Sequence, residues 1–212
     1  MTITILAITG WIGFLWILYC RLSDIKRLSN TPIKRIKPMQ IYKNLSNDER
    51  KLLAYHEAGH AVVSMNMPQR PPLLNITIIP SKLGFGVTQS QAKKTFNDTF
   101  ISMTSAIVVY LSGRLSEELF CNTRTTSCYD DLQQANQIAK DMVTRFGMGT
   151  KTGFFMISTD SSETYKSLVD EDIIEILNNA KVSALKVLNE HSDDVHKIAK
   201  ELLEKGTIEN FV

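Results

Sequence analysis

The sequence predicts a mainly α-helical domain with a small β element, an α+β fold, behind a single N-terminal transmembrane helix. Apolar residues recur at helical spacing over most of the chain after residue 45, which predicts amphipathic helices. Two short runs, at 76–79 and 87–88, have the composition of strands and predict a small sheet. Residues 3–20 form an almost entirely apolar run, which predicts the membrane helix.

The N-terminal segment, residues 1–20, precedes the first charged residue, Arg21. A helix of this length spans about 30 Å, the hydrocarbon thickness of a bilayer. A cleaved signal peptide normally has a basic start and a small-residue cleavage site, and neither is visible in this sequence. A buried core helix is the alternative, because threonines dilute the run. We expect a single membrane anchor.

Residues 21–44 form a basic linker, since lysines and arginines follow the apolar segment and none precedes it. By the positive-inside rule, we expect the N-terminus outside and the rest of the chain in the cytoplasm, or in the matrix or stroma of an organelle. The linker is expected to contact anionic lipid headgroups, or to act only as a solubilising tether. A formal net charge of +2 does not indicate nucleic-acid binding, and three cysteines do not indicate a disulfide framework.

The most informative motif is the string His56-Glu57-Ala58-Gly59-His60. Positions i and i+4 of a helix project from the same face, so both histidines can reach one metal ion. Neutral imidazole nitrogens suit zinc, and Glu57 can act beside the metal as a general base that later protonates a leaving amine. Apolar neighbours predict a buried helix, in which unsatisfied imidazoles would be costly. The alternative is an amphipathic helix with two surface histidines.

A zinc site of this kind needs a third protein ligand, and the residues leave several choices open. The first glutamate after Glu57 is Glu117, and Asn66 occupies the position where an extended motif would need a third histidine. Asp98 lies in a polar stretch with the composition of a solvated loop. The remaining candidates are Glu117, Glu118, Cys121, Cys128, Asp130 and Asp131.

Several segments resemble, in the same order, the peptidase domain of the FtsH-type membrane-anchored zinc metalloproteases. The similar segments are a zinc helix at 55–61, a strand at 75–80 followed by 86–88, a helix at 111–119, and stretches at 125–135 and 142–148. The resemblance covers about residues 45–207, which we expect to form the peptidase domain, with 208–212 as a tail.

The resemblance implies one zinc ion per chain, bound by His56, His60 and Asp131 rather than Asp130, with Glu57 as the catalytic base. Asp131 would lie in the first turn of a helix, whose positive end favours a carboxylate. Asp130 is expected to cap the same helix.

Two further groups of residues receive roles, the first from the chemistry of metal sites and the second from the resemblance. Glu117 and Glu118 are expected to orient a ligating histidine, or to form a salt bridge with Arg114. The strand Ile76-Thr77-Ile78-Ile79 is expected to lie near the active site. An exposed strand edge there could hold an extended peptide by backbone hydrogen bonds.

The resemblance implies a zinc metalloendopeptidase that acts on unfolded or membrane-associated proteins. The family's proteolysis is ATP-dependent, but this sequence has no Gly-x-x-x-x-Gly-Lys-Ser/Thr loop. We therefore expect the chain to degrade substrates that are already unfolded, or to work beside an AAA ATPase on another chain. The family's hexameric rings raise the question of a homo-oligomer. The alternative function is a non-catalytic scaffold or regulatory subunit in complexes with full-length, ATPase-bearing relatives.

Overall fold

The computed structural model describes residues 42–80, 86–91, 97–158 and 160–209. The predicted membrane anchor and nearly all of the basic linker lie outside the described residues. Within those ranges no helix is long and apolar enough to cross a bilayer. The described residues are mainly helical and include a small three-stranded sheet, so the predicted α+β class is confirmed.

In the described residues, two strands follow the first long helix, further helices come next, and a short strand is last. Their bounds are α1 Asn47–Asn66, β1 Leu73–Thr77, β2 Val87–Ser90, α2 Phe100–Cys121, α3 Tyr129–Thr144, α4 Glu163–Glu190, α5 Ser192–Lys205 and β3 Thr207–Glu209. A 3-10 turn, Thr126–Cys128, leads into α3. The predicted tail at 208–212 was wrong in part, because Ile208 and Glu209 belong to β3. A three-residue strand carries too little periodicity to be recognised from sequence.

Helix α1 begins at a capping box. The Ser46 hydroxyl accepts from the backbone N–H of Glu49 at 3.2 Å, and the Glu49 carboxylate accepts from the Ser46 N–H at 2.7 Å. This reciprocal pair satisfies two backbone donors and sets where the helix starts. From Ala54 onward α1 is largely buried, and it packs mainly against α2 and α5.

The packing of α1 against α2 is unusually close at Gly59. A Cβ at this position would lie 2.5 Å from Ser116 Cβ and 2.9 Å from the Ser112 carbonyl oxygen. The Ser116 hydroxyl also donates to the Tyr55 carbonyl at 2.5 Å, which ties the two helices together. Glycine is less favourable than alanine in a helix by about 1 kcal/mol, so Gly59 costs helix stability and permits the close approach.

The sheet has the order β2-β1-β3, with both pairs antiparallel. The prediction of an exposed edge at 76–79 was therefore wrong: β1 ends at Thr77 and is the central strand. Ile76 and Ile78 are fully buried, and the Ile78 N–H donates to the Gly206 carbonyl at 3.0 Å. Their β-branched character reflects burial in the middle of the sheet rather than an edge. Strand β2 lies at an edge of this sheet, on the side of β1 opposite to β3.

A buried carboxylate on α4 holds the loop that follows α3. Asp172 is 1 % exposed and accepts hydrogen bonds from the Lys151 and Thr152 backbone N–H groups at 3.0 and 2.9 Å. The hydroxyls of Thr150 and Thr152 donate to it at 3.0 and 2.7 Å. Burial acts to raise the pKa of Asp172, but the hydrogen bonds from Thr152 and Lys151 outweigh it and lower that pKa.

We predict that Asp172→Asn destabilises the domain by about 2–4 kcal/mol at pH 7, because an amide NH₂ would face several donors. Since the pKa of Asp172 is lowered by folding, its stabilisation is present above the unfolded pKa of about 3.9 and is lost as pH falls below it. Urea unfolding followed by circular dichroism at pH 7 and pH 3 measures both effects. The exposed neighbour Asp170, changed to Asn, is the matched control. A wild-type minus variant difference that does not shrink at pH 3 would contradict this role.

Candidate metal centre

Two helices bring three potential metal ligands to one point. His56 and His60 lie one turn apart on α1, and Asp131 lies in the first turn of α3. The His56 Nε2 atom is 3.1 Å from His60 Nε2 and 3.1 Å from Asp131 Oδ2, and His60 Nε2 is 3.2 Å from the same oxygen. Among the described residues these three form a group that could hold a metal ion.

The other ring nitrogen of each histidine faces an acceptor. His56 Nδ1 is 2.8 Å from Glu117 Oε1, and His60 Nδ1 is 2.8 Å from the carbonyl oxygen of Val109. A carboxylate and a carbonyl can only accept here, so we assign the proton of each neutral ring to Nδ1. Both Nε2 atoms then present lone pairs toward the Asp131 carboxylate.

Three converging lone pairs repel one another unless a cation lies between them. Ligand atoms 2.0–2.1 Å from a tetrahedral zinc ion are separated by about 3.3–3.4 Å, close to the distances between these three atoms. Two imidazole nitrogens and a carboxylate oxygen are also the ligand types that zinc takes in catalytic sites. The residues present therefore fit a zinc ion.

The charges around His56 also favour a bound cation. Burial alone would lower the pKa of His56, but hydrogen bonds with Asp131 and Glu117 raise it to about 10. The site thus favours positive charge at His56, and a proton and a metal ion compete for that place. Burial acts to raise the pKa of Asp131, but its hydrogen bonds with His56 and His60 hold it well below the usual range. The carboxylate is therefore charged and ready to bind a cation.

Glu117 is buried behind His56 and is held by several donors. Its Oε1 accepts from the Ser127 and Thr125 hydroxyls at 2.7 and 3.1 Å, and its Oε2 accepts from the Thr125 backbone N–H at 3.0 Å. Burial acts to raise the pKa of Glu117, but the bonds from His56, Ser127 and Thr125 lower it. A charged, immobilised carboxylate can hold the His56 ring in one orientation.

The other candidates for the third ligand make different contacts. Glu118 forms the predicted salt bridge with Arg114, and its Oε1 atom lies 3.0 Å from the Nε atoms of both Arg114 and Arg124. Cys128 is buried, with its thiol donating to a backbone carbonyl. Asp130 is exposed, and α3 has no side-chain cap, so the predicted capping role of Asp130 was wrong.

Gly113 on α2 is a functional position that the sequence analysis missed. A Cβ there would lie 2.7 Å from His56 Nε2 and would also overlap His60 Nε2. The α2 backbone can therefore pass over the two imidazoles only because position 113 has no side chain. A glycine inside a predicted helix was the available signal.

Glu57 lies beside the three potential metal ligands and is oriented by strand β2. The Thr88 hydroxyl donates to Glu57 Oε2 at 2.7 Å. The Oε1 atom faces Gly86, where an added Cβ would lie 2.9 Å from the Glu57 Cδ atom. One carboxylate oxygen is thus engaged, and the other has room only because residue 86 is glycine.

These residues share the floor of an open cleft with a volume of about 760 Å³. The three potential metal ligands and Glu57 form its floor, and β2 forms one wall with residues 86–88 and Ser90. Thr125, Thr126 and Ser127, at the start of the 3-10 turn, line another side.

Comparison with known proteins identifies the family. The model of peptidase family M41 matches residues 43–211. The "ATP-dependent zinc metalloprotease FtsH" of Cupriavidus metallidurans is 34 % identical over 179 residues, which cover 78 % of this chain and 28 % of that protein. The protein of the same name from Thermobaculum terrenum is 32 % identical over 181 residues, with the same two coverages. The mouse "Mitochondrial inner membrane m-AAA protease component AFG3L1" is 33 % identical over 175 residues.

The chain belongs to peptidase family M41. It spans less than a third of the length of the relatives named above. The zinc in two of their names agrees with the metal that the ligand atoms of this chain fit. Zinc is accordingly the cofactor of this peptidase.

We predict that Asp131→Asn lowers zinc affinity by at least about 10–100-fold. Loss of a residue that only hydrogen-bonds to a metal ligand already has an effect of this size, and loss of a ligand should have a larger one. Asp130→Asn is the matched control, because it makes the same chemical change one residue away on the exposed side of α3. Zinc titration by calorimetry and metal content by elemental analysis measure the difference. Equal zinc affinity of the two variants would contradict the assignment of Asp131.

Proposed function

We propose that this M41 peptidase is a membrane-anchored zinc metalloendopeptidase that cleaves extended segments of unfolded or membrane-associated proteins. The observation that carries the proposal is the shared cleft floor, where three converging ligand atoms lie beside the carboxylate of Glu57. A metal site built only for stability would be closed by protein ligands, whereas this one opens into a cleft of about 760 Å³.

His56, His60 and Asp131 would hold the zinc ion, and Glu117 would keep the His56 ring in place. When bound, zinc supplies Lewis acidity, which polarises the scissile carbonyl and makes water a better nucleophile at neutral pH. The negative charge of Asp131 and the neutral imidazoles leave the site electrophilic while neutralising part of the ion's charge.

Glu57 would move the protons of the reaction. Its Oε1 would take a proton from the attacking water and then deliver that proton to the nitrogen of the leaving amine. The Thr88 hydroxyl, which donates to Oε2 at 2.7 Å, would hold the carboxylate and leave Oε1 for the proton transfer. Thr88 would therefore act as a positioning residue.

Strand β2, rather than Ile76–Ile79, is the proposed binding edge for the peptide. β1 has both of its edges occupied, by β2 and β3, whereas β2 borders the cleft beside Glu57. Backbone hydrogen bonds to a strand edge read little side-chain sequence, which suits an enzyme that degrades varied unfolded chains.

The proposed membrane attachment rests on the apolar run at residues 3–20 and the basic residues after it. One relative is by name a component of a mitochondrial inner membrane protease, which supports the same location. We propose a single-pass anchor with the peptidase domain on the cytoplasmic, matrix or stromal side.

The competing function is a non-catalytic scaffold. The contacts of the Glu57 side chain favour the peptidase instead. A scaffold has no use for a buried glutamate that is held by Thr88 and given room by Gly86 next to three metal ligands. A catalytic test therefore separates the two functions.

We predict that Glu57→Gln lowers casein degradation by the zinc-loaded full chain about 10²–10⁴-fold, because an amide cannot take the proton. Zinc content is expected to stay unchanged, since Glu57 is not one of the three residues that supply ligand atoms. Assays run with and without ATP separate intrinsic cleavage from motor-assisted cleavage. Equal casein degradation by wild type and variant would refute the peptidase mechanism.

We predict that Thr88→Val lowers kcat about tenfold, because the lost hydroxyl no longer holds the Glu57 carboxylate. Thr88→Ser, which keeps the donor, is expected to retain most of the activity. Zinc content and the binding of an uncleaved peptide should be the same for both variants. A Thr88→Ser enzyme as impaired as Thr88→Val would show that packing, not the hydrogen bond, is what matters.

A further inference from the structure

The cleft extends beyond His60 to an end lined by two polar residues that the catalytic mechanism does not use. Ser64 lies one turn after His60 on the same face of α1, so His56, His60 and Ser64 form one stripe. Arg70 follows the helix, and both Ser64 and Arg70 line the catalytic cleft and a smaller cavity of about 340 Å³ beside it.

Both residues have a buried polar atom without a hydrogen-bond partner among the described residues: Ser64 Oγ and Arg70 Nε. Ser64 is only 4 % exposed. A buried donor left unpaired costs about 1–3 kcal/mol, so such groups are normally paired by protein, water or ligand. Two such groups at one end of a binding cleft indicate a ligand with matching acceptors.

Arg70 is also a charge without a counterion in the described part of the chain. Arg114, Arg124 and Arg145 each pair with a carboxylate, whereas Arg70 has no such ion pair with a described residue. Burial lowers the pKa of Arg70, which reflects the unfavourable desolvation of its guanidinium. A partly desolvated guanidinium binds carboxylates strongly, because water no longer competes for its donors.

The backbone at Arg70 is held in place from both sides. Gln69 has a φ of 56°, and its side-chain oxygen accepts from the Thr99 hydroxyl at the start of α2 at 2.6 Å. Pro71 restricts the Arg70 backbone to extended conformations. The Pro72 carbonyl accepts from the Gln91 N–H at 2.9 Å, which places this segment beside the end of β2.

The rise per residue along α1 and β2 indicates how far this end of the cleft lies from His60 and from Thr88. Ser64 lies four residues after His60, about 6 Å along the helix axis. On the opposite wall, Ser90 lies two residues beyond Thr88, about 7 Å along the strand. Both distances correspond to about two residues of an extended peptide.

We propose that Ser64 and Arg70 form an anion subsite of the cleft, which binds a substrate carboxylate about two residues from the scissile bond. The carboxylate is an aspartate or glutamate side chain, or the C-terminal carboxylate of the substrate. Arg70 donates through its guanidinium, and Ser64 donates through its hydroxyl. This subsite rests on the proposed function, since it needs a peptide in the cleft.

The experiment measures binding in the Glu57→Gln background, so it does not require cleavage. The zinc-loaded full chain is titrated with fluorescein-labelled decapeptides in which one glutamate is moved through every position of an apolar sequence. Each peptide is paired with its glutamine counterpart, and a second pair compares a free with an amidated C-terminus. Fluorescence anisotropy gives Kd at low and high salt. The same titrations are repeated with Arg70→Gln, with Ser64→Ala, and with the exposed control Arg145→Gln.

The expected result is that at least one acidic peptide binds about tenfold more tightly than its neutral partner, the value of one charge-assisted hydrogen bond. Arg70→Gln should abolish this preference and its salt dependence, Ser64→Ala should reduce it, and Arg145→Gln should leave it unchanged. Circular dichroism confirms that the variants are folded. Equal Kd within every pair, or a preference that survives Arg70→Gln, overturns the subsite. If wild type cleaves casein but the peptide titrations show no preference for an acidic peptide, the subsite is overturned and the proposed function stands.

Discussion

The rest of the site depends on two hydrogen bonds to the back of the histidine rings. Glu117 accepts from His56 Nδ1 and the Val109 carbonyl accepts from His60 Nδ1, both at 2.8 Å. These contacts turn both Nε2 lone pairs toward Asp131, where a cation resolves the repulsion among three acceptors. Helix α2 supplies both acceptors, so the metal centre is as much a product of α2 as of the histidine-bearing helix.

The close contact of α1 and α2 makes that arrangement possible. Gly59 lets α2 approach α1, and Gly113 lets the α2 backbone cross above the imidazoles. Each glycine costs about 1 kcal/mol of helix propensity relative to alanine, and the gain is a shorter distance between the helices. Stability is therefore lowered locally at the centre, while the core around it is densely filled by residues such as Val62, Ile107 and Leu202, all fully buried.

The small sheet gives the cleft its direction. Because β3 pairs with one edge of β1 and β2 with the other, only β2 can offer an edge along the cleft among the described strands. Thr88 orients Glu57 at one point of β2, and Pro72 contacts Gln91 just past its other end. Strand β2 thus runs from Glu57 toward the end of the cleft at Arg70, and a peptide bound as proposed would contact both ends.

The sequence alone determined what depends on neighbours within a few residues. The i, i+4 spacing of His56 and His60 places both on one helix face, and apolar periodicity predicts the long helices. It left six candidates for the third ligand and misplaced the edge of the sheet, because both depend on residues far apart in the chain. Asp131 reaches His56 across 75 positions, and β3 reaches β1 from the end of the chain. Only the packing of α3 and α5 against the first helices decides such contacts, since local spacing carries no information about them.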